Sequence, residues 1–219
     1  MEPGAKTKRP RVLLGDDHTI ILEGLRRILE PHFEVVGMVP DGRALVAAAR
    51  QLHPDVIVAD ISMPLLNGIE AARQLQKTQS RAKIIFLTMH PDAIYATEAF
   101  RAGGSGYVLK SSAASELVTA IQQALKGRVY VTPLVAKDML GSLMGQSPQP
   151  PPATPALTPR QREVIQLVAE GRSAKEIAEI LKVSPRTAEF HKYRIMEQLG
   201  LHSTAELTQY AIKHGIVSP

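Results

Sequence analysis

The chain contains no cysteine, which removes disulfide frameworks, thiolate metal sites and cysteine nucleophiles and agrees with a reducing compartment. It also lacks any stretch near the roughly 18 uninterrupted apolar residues that a membrane span needs. Its first residues, Met1 to Arg11, are polar and basic, with no apolar segment behind them of the kind a secretory signal requires. The expectation is a cytoplasmic chain that touches no membrane. What is present is 44% hydrophobic and 21% charged residues over 219 positions, the composition of a soluble globular protein and a length that suits two small domains. The net charge of +5 invites a nucleic-acid reading. The excess, however, is spread over both halves, and Lys6, Lys8, Arg9 and Arg11 crowd the N-terminal tail, so basicity alone is weak evidence for DNA.

Five short apolar runs rich in Val, Ile and Leu, at Arg11 to Gly15, Glu34 to Val39, Asp55 to Ala59, Lys83 to Thr88 and Gly106 to Leu109, alternate with amphipathic segments. Near-continuous apolar strands between helices predict a parallel sheet covered on both faces. The pattern fills residues 8–126 and predicts an α/β doubly wound, flavodoxin-like domain with strand order 2-1-3-4-5. Residues 127–156 then read as a linker. Thr132 caps and Pro133 opens a short helix to about Leu143, and Gly145 to Ala156, with five prolines, cannot bury a core.

From Leu157 to the end the pattern is helical and its stops are legible. Thr158-Pro159-Arg160-Gln161 and Ser173 to Glu176 are capping boxes, Ser184-Pro185 and Ser203 with Glu206 open two more helices, and Gly171, Gly200 and Gly215 close helices. The predicted result is a small all-α domain over 157–219. Its second and third helices are separated by little more than Lys182 and Val183, the spacing of a helix-turn-helix.

Ligands of an open parallel sheet bind beyond the carboxyl ends of its strands, at the switch in strand order. Asp16 and Asp17 end the first strand and Asp60 ends the third, so three carboxylates converge there. Such crowding calls for a cation, and hard oxygen ligands suit Mg²⁺, which also bridges phosphoryl oxygens. Thr88 ends the fourth strand with a hydroxyl, and Lys110 ends the fifth with a compact positive charge.

Asp16-Asp17-His18, Asp60-Ile61-Ser62-Met63-Pro64 with Gly68, Leu87-Thr88 and Gly106-Tyr107-Val108-Leu109-Lys110 together resemble the receiver (CheY-like) domain of a two-component response regulator of the NarL/FixJ type. The resemblance implies that Asp60 accepts a phosphoryl group from a sensor histidine kinase. It implies that Asp16, Asp17, Asp60 and the Ser62 backbone carbonyl hold Mg²⁺, that Thr88 and Lys110 contact the phosphoryl group, and that Tyr107 switches with Thr88. Departures are small: Gly15 stands where the family often has a bulkier residue, and Ser111 follows Lys110 where Pro or Asp is common.

In the C-terminal part, Ala188, His191, Ile195 and Leu199 form an inward stripe that can pack on Val164, Leu167, Val168, Ile177, Ala178 and Leu181. The opposite face mixes cations, hydrogen-bonding groups and aromatics, which suits phosphate anchoring plus base-edge contact. Leu157 to Val217 is similar to a LuxR-type helix-turn-helix domain. By that match Lys182, Arg186, Lys192 and Arg194 are phosphate candidates, and Glu189, Phe190 and Tyr193 are base-edge candidates. Double-stranded DNA is then the ligand, a homodimer forms on activation, and RNA polymerase is a candidate further partner.

A Mg²⁺-dependent phosphatase of the haloacid-dehalogenase type would also use an Asp nucleophile at such an edge. It needs a general acid two residues on, where this chain has Ser62. A flavodoxin-like electron carrier would suffer repulsion between the carboxylates and its FMN phosphate. The expectation is therefore a transcription regulator rather than an enzyme, with at most autocatalytic phosphotransfer and self-dephosphorylation. The Pro-rich linker suggests a closed form in which the receiver masks the recognition helix. Leu207, Tyr210 and Ala211 of the last helix, Thr204 to His214, read either as a stripe that pairs across a dimer or as core of their own bundle.

Overall fold

The computed structural model describes residues 9–78, 80–143 and 157–217. The stretch read as a Pro-rich linker, 145–156, and the tail residues Lys6 and Lys8 lie outside them. The N-terminal part alternates β1 (Arg11–Gly15), α1 (Thr19–Leu29), β2 (Glu34–Val39), α2 (Gly42–Leu52), β3 (Val56–Ala59), α3 (Gly68–Lys77), β4 (Lys83–Thr88), α4 (Ala93–Arg101), β5 (Gly104–Leu109) and α5 (Ala113–Leu125). All strand pairings are parallel, in the order 2-1-3-4-5-6.

The sixth strand, β6 (Tyr130–Val131), is a correction to the expected linker. It adds to the edge of β5 because the β-branched and aromatic run at 129–131 can satisfy that edge before Pro133 forces a change. Thr132 is buried there: its N–H donates to the Tyr107 carbonyl at 3.0 Å, and its hydroxyl donates to Glu116 Oε2 at 2.6 Å. The following helix, α6 (Pro133–Leu143), packs on α4.

Alternate strand residues face opposite ways, so the sheet separates two apolar layers. Leu13, Ile57, Phe86 and Tyr107 bury against α2, α3 and α4, while Val12, Leu14, Val58, Leu87 and Val108 bury against α1 and α5. Both layers are needed to hold the strand ends in register. Burying each such Leu or Val contributes about 1.5–3 kcal/mol.

The C-terminal helices are α7 (Pro159–Ala169), α8 (Ala174–Leu181), α9 (Pro185–Leu199) and α10 (Thr204–Lys213). Thr158 and Ser173 form both expected capping boxes, and Gly171, Gly200 and Gly215 adopt positive φ at the helix ends, as left-handed stops require. Lys182 also turns left-handed after α8, which sharpens the bend into α9. Val164, Leu167, Ile177, Leu181, Ala188 and Ile195 share one separate core with Leu207 and Ala211. Leu207 and Ala211 are fully buried and fill this core, with Tyr210 packed against it, so of the two readings of that stripe the bundle core is the one that holds.

Candidate functional site

Parallel strands place Asp16, Asp17 and Asp60 together at one edge of the sheet. The Asp60 N–H donates to the Gly15 carbonyl at 2.8 Å, which ties the end of β3 to the end of β1. Asp16 and Asp60 are buried, while Asp17 is partly open to water. Lys110 enters from the end of β5 and sets its Nζ 2.7 Å from both Asp16 Oδ2 and Asp60 Oδ2. Burial raises the Asp60 pKa above the usual carboxylate range, and the Asp16 charge adds to this, against the opposing hydrogen bond and charge of Lys110. Burial alone would lower the Lys110 pKa, but its hydrogen bonds to Asp16 and Asp60 outweigh that and raise it. The ammonium is thus the cation that bridges the two buried carboxylates.

His18 joins the cluster, a role the sequence reading did not give it. Its Nδ1 lies 2.9 Å from Asp17 Oδ1 and 3.2 Å from Asp16 Oδ1. One ligand atom from each of Asp16, Asp17 and His18 falls within a 4.8 Å group. Oxygen-rich carboxylates already balanced by one cation fit a hard divalent ion.

Thr88 and Tyr107 meet on His90, which sequence reasoning also missed. The His90 N–H donates to Thr88 Oγ1 at 3.2 Å, and Tyr107 Oη donates to the His90 carbonyl at 2.8 Å. The His90 ring lies 3.1 Å by Nε2 from Ser62 Oγ and stacks on Tyr95 with centroids 4.3 Å apart. Burial, then the nearby Asp92 charge, push the Tyr107 phenol well above its ordinary pKa, so it stays a hydrogen-bond donor. The only available signal in the sequence was a His two residues after Thr88, which reads as an ordinary loop residue.

The segment from Asp60 to Gly68 is pinned from several sides. A Cβ on Gly68 would sit 2.1 Å from the Asp60 carbonyl oxygen, and one on Gly42 would sit 1.8 Å from that of Leu66. Leu65 holds φ at +64°, a left-handed conformation that costs a non-glycine residue about 1–2 kcal/mol. Its side chain packs against the core of the C-terminal helices.

Those helices dock on this loop and on α3. Gln166 of α7 is fully buried and brackets the loop: its Oε1 accepts from the Asn67 N–H at 2.8 Å and its Nε2 donates to the Met63 carbonyl at 2.9 Å. The Leu65 N–H donates to Glu170 Oε1 at 3.0 Å, and Asn67 Nδ2 donates to the Ile216 carbonyl at 3.1 Å. Arg43 pairs with Glu163 at 3.0 Å, and Gln74 donates to the other oxygen of the same carboxylate at 3.0 Å.

The docking leaves α9 free, which corrects the expected masking of this helix. Arg186, Glu189, Phe190, Tyr193 and Arg194 are exposed, as is Lys182, while Lys192 is half-buried. Inward, Ala188, Ile195 and Met196 are buried, and His191 and Leu199 are only partly so. Lys192 Nζ lies 5.0 Å from the Tyr193 ring centroid, so a cation and an aromatic share one open face.

A "Response regulator receiver domain" model matches residues 12–122, and a "Bacterial regulatory proteins, luxR family" model matches 155–211. The chain belongs to the NarL/FixJ family of response regulators. Among NarL/FixJ relatives, it is 37% identical over 216 residues to the transcriptional regulatory protein MctR of Rhizobium johnstonii, covering 97% of this chain and 98% of that one. It is 35% identical over 208 residues to the response regulator UvrY of Escherichia coli, covering 94% of each. A solved RcsB response regulator from Salmonella typhimurium superimposes with a TM-score of 0.65 at 28% identity, covering 95% of this chain and 99% of that one. The RcsB–DNA complex gives 0.58, also at 28%, covering 94% and 99%.

A NarL/FixJ regulator carries a receiver domain and a LuxR-type DNA-binding domain and regulates transcription; it is not an enzyme in the ordinary sense, and the phosphatase alternative falls away. A receiver implies a kinase partner, and receivers generally bind Mg²⁺ at an acidic pocket such as the one here. No helix among the described residues is long and apolar enough to cross a membrane.

Proposed function

We propose that residues 8–126 form the phosphoacceptor domain, that 127–156 connect it, and that 157–219 read DNA. A sensor histidine kinase transfers a phosphoryl group to Asp60, and the phosphorylated protein binds DNA as a homodimer, with RNA polymerase as a further partner. The observation that supports this reading is the Asp16–Lys110–Asp60 bridge, in which two buried carboxylates and a fixed cation share one strand edge. Asp16, Asp17, Asp60 and the Ser62 carbonyl would hold Mg²⁺, whose charge neutralises phosphoryl oxygens during transfer. Lys110 holds its proton and can follow the phosphoryl group, and Thr88 offers its hydroxyl to the same oxygens. Any self-dephosphorylation would use the same groups with water. Ile20 and Met89, both largely exposed beside this edge, give a kinase an apolar rim to grip.

Lys182, Arg186, Lys192 and Arg194 anchor DNA phosphates, and Glu189, Phe190 and Tyr193 reach base edges. Lys192→Ala is expected to weaken binding to every sequence and lower the salt slope by about one. Tyr193→Ala is expected to lose preference for the operator by about 1–3 kcal/mol. Fluorescence anisotropy on operator and scrambled duplexes at two salt concentrations separates the two. Unchanged binding by both variants removes α9 from the interface.

The test of the phosphoacceptor reading is labelling by a small phosphodonor with Mg²⁺, which should give one hydroxylamine-labile acyl phosphate at Asp60. A stable label elsewhere, or none, overturns it.

A further inference from the structure

We infer that the cavity walled by α3, α4, α7 and α10 is a binding site for a small planar organic anion that also donates an N–H, a nucleoside monophosphate or an aminobenzoate. This goes beyond the phosphoacceptor and DNA-reading roles given above and adds a chemical input to them.

The cavity measures about 580 Å³ and lies where the two domains meet, the size and the place in which ligand sites usually occur. Each domain gives it an aromatic wall. Tyr95 of α4 is backed by the His90 ring, with centroids 4.3 Å apart, and Tyr210 of α10 by the His214 ring at 4.0 Å. Ile69, Ile94 and Leu157 line the space around them. A flat ring suits aromatic and branched aliphatic surfaces of this kind. Gly215 lets the chain after α10 close the cavity against Tyr95, since a Cβ there would fall 2.0 Å from the ring.

The charges of the lining do not cancel. Glu98 pairs with Arg73 at 2.6 Å and with Arg101 at 2.8 Å, and Glu70 pairs through Oε1 with Arg73 and, at 3.5 Å, with Arg162. Asp92, the remaining carboxylate, is exposed to water. Lys213 also lines the cavity and has no ion pair among the described residues. Burial, and then the charges of Lys213 and Arg162, hold the His214 pKa below its ordinary value. That side of the cavity therefore carries a positive field, which favours an anionic group.

Glu70 sets the other requirement. It is 2% exposed, and its Oε2 has no hydrogen-bond partner among the described residues. A buried acceptor in that state is costly unless something donates to it. Arg73 and Arg162 are engaged at Oε1, so the donor that completes Oε2 comes from the ligand. An anionic group for Lys213, an N–H for Glu70 and a flat body between Tyr95 and Tyr210 are the features that the ligand must combine.

The test titrates adenosine 5′-monophosphate into the full-length protein by calorimetry, without Mg²⁺ so that its phosphate is not drawn to the Asp60 pocket. One saturable site per chain is expected, with a Kd below about 1 mM. Lys213→Ala alters an exposed residue with no ion pair and is expected to weaken binding about ten-fold or more, the worth of a charged hydrogen bond. Glu70→Gln keeps an oxygen for Arg73 and turns its amide N–H₂ to the Oε2 position, so it too is expected to weaken binding. Purine riboside 5′-monophosphate, which lacks the exocyclic amine, should be indifferent to that change. Lys126→Ala removes an exposed cation outside the lining and is expected to change nothing. Adenosine, which lacks the anion, is expected to bind more weakly by about ten-fold or more. 4-Aminobenzoate, titrated in parallel, distinguishes the two sources: saturation by it alone, with the same loss in Lys213→Ala, assigns an aromatic acid. Thermal melts check each variant, and Lys213→Ala decides alone if Glu70→Gln melts early. Saturation by neither compound, adenosine binding as tightly as its monophosphate, or binding that Lys213→Ala leaves unchanged overturns the site.

Discussion

Asp60→Asn is expected to abolish phosphoryl incorporation while leaving the fold intact or slightly more stable. Asparagine keeps the size of the side chain and its amide oxygen can still accept from Lys110 at the position of Asp60 Oδ2, but it offers no carboxylate to attack phosphorus. The stability arm follows from the charge. Burial raises the folded-state pKa of Asp60 above its ordinary value, so at any pH above that folded-state pKa the ionised group works against folding. As pH falls into the window between the two, that penalty shrinks. The wild type should therefore approach the variant in stability on acidification, and stand further below it as pH rises. Thermal melts at two pH values, with labelling by acetyl phosphate in parallel, read both arms. Full labelling of the variant, or a variant that melts well below wild type at neutral pH, defeats the assignment.

The second large effect is expected at Gly68. An added methyl group would sit 2.1 Å from the Asp60 carbonyl oxygen and 3.2 Å from the Ile61 Cα, and neither is a flexible side-chain end that can swing away. Gly68→Ala must therefore push the end of β3 away from α3, at a cost of about 1–3 kcal/mol. Because the displaced atom belongs to Asp60 itself, labelling should fall along with stability. Gly24→Ala is the matched control: it lies within α1, with nothing within 4 Å of the new methyl. There the same substitution is expected to raise stability by about 0.5–1 kcal/mol. Chemical denaturation of the pair measures both signs, and equal effects would mean that the crowding at Gly68 relaxes at no cost.

The sheet and the four C-terminal helices were legible because each rests on local chemistry. Apolar runs specify buried parallel strands, Thr158 and Ser173 open helices, and Gly171 and Gly200 stop them where they stand. The acidic pocket was legible for the same reason, since a strand-end residue needs only the strand order to be placed. β6 was not, because two residues at a sheet edge carry almost no periodicity. For Leu207 and Ala211 two readings stayed open, since an amphipathic stripe does not say whether it faces its own bundle or a second copy. His90, Gln166 and Leu65 were invisible: their roles come from residues far along the chain, and a left-handed leucine leaves no mark in the letters around it.

Among the described residues the contact between the two domains carries many hydrogen bonds and ion pairs, such as Gln166 to the Met63 carbonyl and Arg43 to Glu163, beside the apolar contacts of Leu65 and of Tyr95 against Gly215. Every polar group there can be taken up by water if the contact loosens, and the few apolar side chains beside them are separated by polar ones. Rising ionic strength, which screens the Arg43 and Arg162 pairs, should therefore loosen this contact, so the grip of one domain on the other is set in part by the salt around it.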